Sequence, residues 1–224
     1  VTALAAGRLY GSPVLMVVQD IVPDVALSLG MLENPTIVRL ARTLEQFCYR
    51  QADHISVIGR GFRDNLIGKG VSPEKISLIP NWVDLELVKP MDRLSRFREK
   101  HEIDAHTFIV LYGGSMSSKQ GLTNVVLAAE HLQDQPNVEF FLIGEGSDWQ
   151  NLIEMVQDRE ISNVTFLPFE PEETFPDMLA AADVLLLNQR AGVSDSVLPC
   201  KFLNYMAAGR PVAAAIHDNS ETAV

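Results

Sequence analysis

"TFIVLYGGSMSSKQGLTNVVLAAEHL", residues 107–132, decides the fold. Its first eight residues form an apolar run of strand length that ends on two glycines. Its last twelve space apolar residues as a helix does. A short serine-rich turn joins the two. A strand, a glycine-bearing turn and an amphipathic helix are the unit from which doubly wound parallel sheets are built.

The same alternation extends outward in both directions. Upstream, Val14–Asp20, His54–Gly59 and Ile76–Pro80 read as strands. Downstream, Val138–Gly144, Val164–Phe169, Asp183–Asn188 and Pro211–Ile216 continue the series. The runs are short and nearly continuous in apolar residues, which predicts parallel strands buried on both faces. Among the intervening helices, residues 34–53 offer Asn34 as N-cap and Pro35 at the first helical position. Ile37, Val38, Leu40, Ala41, Leu44, Phe47 and Cys48 form its apolar face, and Arg39, Arg42 and Arg50 its solvated one. Residues 147–160 read as a later helix of the same kind. Pro80, Pro90 and a charged run interrupt the alternation over residues 79–104, and it restarts at Thr107. This predicts two α/β units joined by a linker.

Composition narrows the function. With 224 residues, 47% of them hydrophobic, the chain can build one large α/β domain or parts of two. A net charge of −11 argues against a nucleic-acid surface, so any bound anion must be held by local groups. Two distant cysteines, Cys48 and Cys200, do not suggest a disulfide framework and fit a reducing, cytoplasmic setting. No apolar run approaches the roughly 18 residues of a spanning helix.

Three polar turns follow strands of the second unit. In "YGGSMSSKQGL" Gly113 and Gly114 let the backbone approach a ligand. The serines can cap a helix, and Lys119 falls at or near its first turn, an arrangement suited to an anion. The spacing is not that of a P-loop, and an ordinary turn with an exposed Lys would read the same way. In "LIGEGSDWQ" the pair Gly144 and Gly146 begins a dinucleotide fingerprint that Trp149 breaks, so turn glycines are the default reading there. In "SDSVLPCKFLNYMAAGRPVAAA", residues 194–215, Pro199 suits the first helical position and leaves the N–H groups of Cys200 and Lys201 unpaired. Lys201 and Asn204 share a face, and Leu203 and Met206 are expected to pack inward. A capped helix with a solvated Lys is the alternative for this turn.

"IPNWVD" (79–84), "GGSMSSKQGL", "LIGEGSDWQNL", "NVTFLPF" and "YMAAGRPVAA", in this order, resemble the retaining glycosyltransferases of the GT-B fold. The resemblance is strongest to the family-4 type that builds exopolysaccharide, colanic acid and O-antigen. It implies a fragment of two Rossmann-like units: residues 1–85, the second half of the acceptor-side domain with the hinge, truncated at its N-terminus, and residues 86–224, the nucleotide-sugar domain, truncated at its C-terminus. It assigns Gly114 and Lys119 to the donor diphosphate and counts Gly113, Ser115 and Gly144 among the nucleotide-sugar-binding residues. Leu167, Pro168 and Phe169 fall where the family's backbone meets the base. Pro199, Cys200 and Lys201 fall where N–H groups meet phosphate and sugar.

The family's paired glutamates fall on Ser196 and Asn204. Asn204 can still hydrogen-bond a ribose hydroxyl, and the neighbouring Asp195 can stand in for the first carboxylate. Gln19 and Asp20 occupy the place of the family's usual His. The implied reaction moves a sugar, with retention, from a nucleotide-diphosphate donor to a saccharide or lipid-linked saccharide. Lys119, Lys201 and Asp195 are its catalytic candidates. No Asp-x-Asp pair occurs in the chain, in keeping with metal-free phosphate neutralisation and no cofactor beyond the donor. A lipid-linked acceptor implies peripheral contact with the inner face of the plasma membrane through a segment outside this chain. Two readings of other classes remain, a catalytically silent nucleotide-sugar-binding subunit and a nucleotide-sugar epimerase. A nicotinamide oxidoreductase ranks below both.

Overall fold

The computed structural model describes residues 1–190, 199–218, 220, 222 and 223. The described chain forms two compact units, one from residues 1–81 with residues 199, 217, 218, 220, 222 and 223, and one from residues 82–190 and 200–216.

In the first unit the order is α1 (Thr2–Tyr10), β1 (Leu15–Val18), α2 (Val22–Ser28), α3 (Pro35–Gln51), β2 (His54–Val57), α4 (Arg60–Gly68) and β3 (Ile76–Leu78). The strands form a parallel sheet in the order β1-β2-β3. Central β2 is buried at Ile55 and Val57, and Tyr49, Phe62 and Leu66 pack into the same core. Asn34 caps α3 as expected, its Oδ1 accepting the N–H of Thr36 at 2.9 Å.

The apolar face of α3 faces inward along one side only, where Val38, Ala41 and Cys48 are half-buried. Ile37 and Leu40 are 51% and 68% exposed, and Leu44 and Phe47 are exposed as well. The inward side also carries Tyr49, which donates to Glu45 at 2.8 Å, and Glu45 pairs with Lys69. Burial on both faces also fails for β1, whose Leu15 and Val17 are exposed.

The second unit contains α5 (Arg96–Lys100), β4 (Phe108–Gly113), α6 (Thr123–Leu132), β5 (Val138–Ile143), α7 (Trp149–Asp158), β6 (Val164–Leu167), α8 (Phe175–Ala181), β7 (Val184–Asn188), α9 (Lys201–Ala207) and β8 (Val212–Ala215). Its five parallel strands take the order β6-β5-β4-β7-β8. The chain therefore runs outward from β4 to β6, then returns to the other side of β4 as β7. One core layer contains Ile109, Leu111, Phe141, Ile143 and Leu185; the other contains Tyr112, Val126, Phe140 and Leu142.

The charged run expected to be linker is partly core. Phe97 and Arg98 of α5 are each 2% exposed. Arg98 donates to the Ala181 carbonyl and to Asp183, which also pairs with Arg93. Asp183 in turn accepts the N–H of Ile109 at 2.8 Å. Burial alone would raise this carboxyl's pKa. The hydrogen bonds from Arg93 and Ile109, with the two guanidinium charges, outweigh burial and hold it below its ordinary value.

Candidate functional site

A doubly wound sheet opens a crevice where its strand order reverses, at the carboxyl ends of the strands. Here that point lies between β4 and β7. The two strands pair at Val110 with Val184 and Leu111 with Leu185, whereas β4 follows β5 through to Gly113 and Ile143. Past Leu111, a side chain replaces the missing strand. The buried hydroxyl of Tyr205 accepts the Gly113 N–H at 3.1 Å and donates to the Gly113 carbonyl, also at 3.1 Å. Both backbone groups would otherwise be orphaned inside the protein.

Lys201, one turn before Tyr205 on α9, reaches the same strand end. Its ammonium donates to the Tyr112 hydroxyl at 2.6 Å and lies 3.9 Å from the centre of that ring. Tyr112 donates onward to the Ser115 carbonyl at 2.7 Å. Gly114 makes room for this arrangement. It has φ +140°, and a Cβ there would stand 2.7 Å from the Lys201 Nζ. Burial pulls the Lys201 pKa down to about 8 and pushes those of both tyrosines up.

The neighbouring turns lock onto this one through their backbones. Gly114 N–H donates to the Ile143 carbonyl, and Gly144 N–H to that of Leu167, each at 2.9 Å. A Cβ on Gly144 would overlap the Gly114 carbonyl oxygen, and one on Gly146 that of Met116. The two glycines that begin a dinucleotide pattern are thus required for close approach of one turn to the next. Phe169, 54% exposed, stands beside Gly144 just past β6, while Leu167 packs against the core.

Gly113, Gly114, Ser115, Gly144, Leu167, Phe169 and Lys201 are therefore gathered at one sheet edge. Lys119 is near the first turn of α6 but not in it. It lies in the turn before α6, which starts at Thr123 after an N-cap, Leu122, that has no side-chain hydrogen bond. The serines do not cap this helix, because Ser117 donates through both its N–H and its hydroxyl to Gln120 Oε1. The Lys119 carbonyl accepts the N–H of Arg190 at 2.8 Å. Asn188, at the end of β7, donates to the carbonyls of Gln120 and Gly121 and fastens the turn to the crevice wall.

Helix α9 is likewise shifted. Its N-cap is Cys200, so Pro199 precedes the cap instead of filling the first helical position. Tyr205 and Ala208 are the buried residues; Leu203 is half-buried and Met206 is 51% exposed. Turning Lys201 and Tyr205 toward β4 directs Met206 outward. Asn204 is half-buried on the same helix and Cys200 is exposed. Asp195 and Ser196 lie outside the described residues.

Sequence reading missed Tyr112, Tyr205 and Asn188. The available signal for the last was a polar residue closing an apolar strand. Among the described residues no cluster of His, Cys, Asp and Glu could hold a metal ion, and no helix is long and apolar enough to cross a membrane.

Residues 1–82 match the Glycosyl transferase 4-like domain and residues 95–221 match Glycosyl transferases group 1. The chain is 31% identical over 208 residues to the colanic acid biosynthesis glycosyl transferase WcaI of Escherichia coli K12, covering 90% of this chain and 51% of that protein. It is 25% identical over 146 residues to the alpha-galactosylglucosyldiacylglycerol synthase of Streptococcus pneumoniae R6, covering 62% of this chain and 38% of the relative. The chain thus spans about half the length, or less, of these two relatives. Anabaena HepE, solved with UDP-glucose, superposes with a TM-score of 0.74 at 21% identity over 94% of this chain and 55% of HepE. The fold is the α/β architecture of GT-B glycosyltransferases. With more than half its length matched to one family, this chain belongs to the group 1 glycosyl transferases.

Proposed function

We propose that the protein transfers a sugar from a nucleoside-diphosphate donor to a saccharide or lipid-linked saccharide, with retention, in the synthesis of a surface polysaccharide. One observation carries this reading: the Lys201 ammonium, held against Gly114 at the switch-point edge of β4. As the donor's C1–O bond breaks, charge grows on the leaving diphosphate, and a cation already in place stabilises that charge most. Lys201 and Lys119 meet the diphosphate, with the Gly113–Ser115 backbone and the N–H groups of Cys200 and Lys201, and no metal is needed. Asn204 takes a ribose hydroxyl, and the base lies by Leu167, Pro168 and Phe169. Asp195 and Ser196, with Pro199 leading into α9, complete the sugar side. The acceptor hydroxyl attacks the face that the diphosphate leaves and gives its proton to the departing phosphate oxygen.

WcaI supports a polysaccharide product and the diacylglycerol synthase a lipid-linked acceptor. With such an acceptor the enzyme works in the cytoplasm at the inner membrane face. HepE makes uridine the first base to test. Calorimetry with the nucleoside diphosphate and with the bare nucleoside tests the reading. Lys201→Ala and Lys119→Ala are each expected to weaken diphosphate binding about tenfold or more and nucleoside binding hardly at all, as charge-assisted contacts do. Equal losses for both ligands would refute it. NMR of the product's anomeric proton tests retention. Donor binding without transfer would favour a silent binding subunit, the reading supported by Ser196 and Asn204 standing in the places of the glutamates.

A further inference from the structure

Tyr112 is 0% exposed, yet both of its polar contacts lie at the crevice edge. The hydroxyl accepts from the Lys201 ammonium at 2.6 Å and donates to the Ser115 carbonyl at 2.7 Å. The ring lies 3.9 Å from the same ammonium. A lysine tail is long and gains freedom in water, so holding it in one place requires a partner that repays desolvation and lost rotamers. An aromatic face with a hydroxyl acceptor supplies such a partner. The space the ammonium occupies exists because residue 114 has no Cβ.

We propose that Tyr112 is a positioning residue for donor binding: its ring and hydroxyl hold the Lys201 ammonium against Gly114, where the donor's diphosphate is received. The inference rests on the reading of Lys201 as a diphosphate ligand. Tyr112 itself makes no contact with the donor. It acts through Lys201 and, by way of Ser115, through the turn that follows β4.

The arrangement predicts a pH profile. Among the described residues, the titratable groups near the ammonium are Tyr112 on β4 and Tyr205 and Cys200 on or next to α9. Burial raises both phenols and brings Lys201 down to about 8, so Lys201 changes charge just above neutrality. Diphosphate affinity is full below that value and falls as pH rises through it. Removing the Tyr112 hydroxyl takes away the ammonium's acceptor, so the fall begins at lower pH.

The test is calorimetric titration with uridine 5′-diphosphate between pH 7.0 and 9.5, with guanosine and adenosine 5′-diphosphate as alternates. It compares the unsubstituted protein, Tyr112→Phe, Lys201→Ala and the double variant. Tyr112→Phe is expected to bind about threefold to tenfold more weakly at pH 7. Its pH midpoint should move down measurably, and it should add no further loss in the Lys201→Ala background. An unchanged midpoint, or the same loss in both backgrounds, would overturn the inference and leave the donor reading standing. No diphosphate binding to the unsubstituted protein would overturn both. If Tyr112→Phe does not fold, NMR of the unsubstituted protein decides. The ε-methylene protons of Lys201 should be shifted upfield by the ring and stay shifted when the nucleoside diphosphate is saturating. Unshifted protons would overturn the inference.

Discussion

A lysine that gives up water for an aromatic face lowers the stability of the protein that carries it, and the sign of the cost can be measured. The Lys201 pKa is about 8 in the folded protein, against an ordinary 10.5. Between those values the unfolded chain binds more protons, so the wild-type protein gains stability as pH rises through that window. Lys201→Met is therefore expected to unfold at a higher temperature than wild type at pH 7. Its advantage should shrink as pH is raised from 8 toward 10.5, as differential scanning calorimetry at several pH values would show. Tyr205 is the opposite case. Tyr205→Phe leaves the Gly113 N–H and carbonyl buried without partners, and should cost about 1–3 kcal/mol in denaturant unfolding at any pH from 6 to 9. A loss below a few tenths of a kcal/mol would mean that water replaces the hydroxyl.

Among the elements, α5 shows what a charged run can conceal. Arg93 and Arg98 converge on Asp183, which also accepts a β4 N–H, so one carboxylate joins the segment before β4, the strand β4 itself and the start of β7. Asp183→Asn leaves a buried guanidinium without its counter-charge and is expected to destabilise by about 3 kcal/mol at pH 7. The carboxyl is held below its ordinary 3.8, so its contribution is present above that value and lost as pH falls through the folded one. Urea unfolding of both proteins at pH 7 and at several pH values below 3.8 should show the gap narrowing as pH falls. Nothing in residues 92–104 announced this, because a run rich in Asp, Arg, Glu and Lys reads as solvated until its partner ninety residues away is placed. The strands were legible for the opposite reason. Eight short apolar runs between polar turns each satisfy a local rule, and all eight appear within a few residues of where they read. Gly114 and Lys201 were legible as turn and helix signals. Tyr112, Tyr205 and Asn188 were not, since an aromatic in an apolar run looks like core and its hydroxyl's partner belongs to another element. On α3 periodicity found the inward side, with Val38, Ala41 and Cys48, but drew the apolar face too wide by including Ile37, Leu40, Leu44 and Phe47.

Across the whole molecule, charge is unevenly shared. Residues 1–81 carry eight Lys and Arg against seven Asp and Glu, whereas residues 82–224 carry ten against twenty-two. The half that contains the candidate site therefore repels anions at long range and must attract a diphosphate through groups at contact distance. Salt screens the long-range field more than it screens a partly buried contact. Raising sodium chloride from 20 to 200 mM should thus leave the nucleoside-diphosphate dissociation constant within about twofold, or tighten it. A steep loss with salt, as in phosphate binding by a basic surface, would show that the anion is held somewhere else.

The ammonium beside Tyr112 has a chemical corollary. A lysine that titrates near 8 is about one-tenth free amine at pH 7, whereas one at 10.5 is free amine roughly three times in ten thousand. Lys201 is half-buried at the crevice edge. Its free-amine form can attack activated esters and aldehydes, and occupancy of the crevice becomes readable as protection of that amine from acylation.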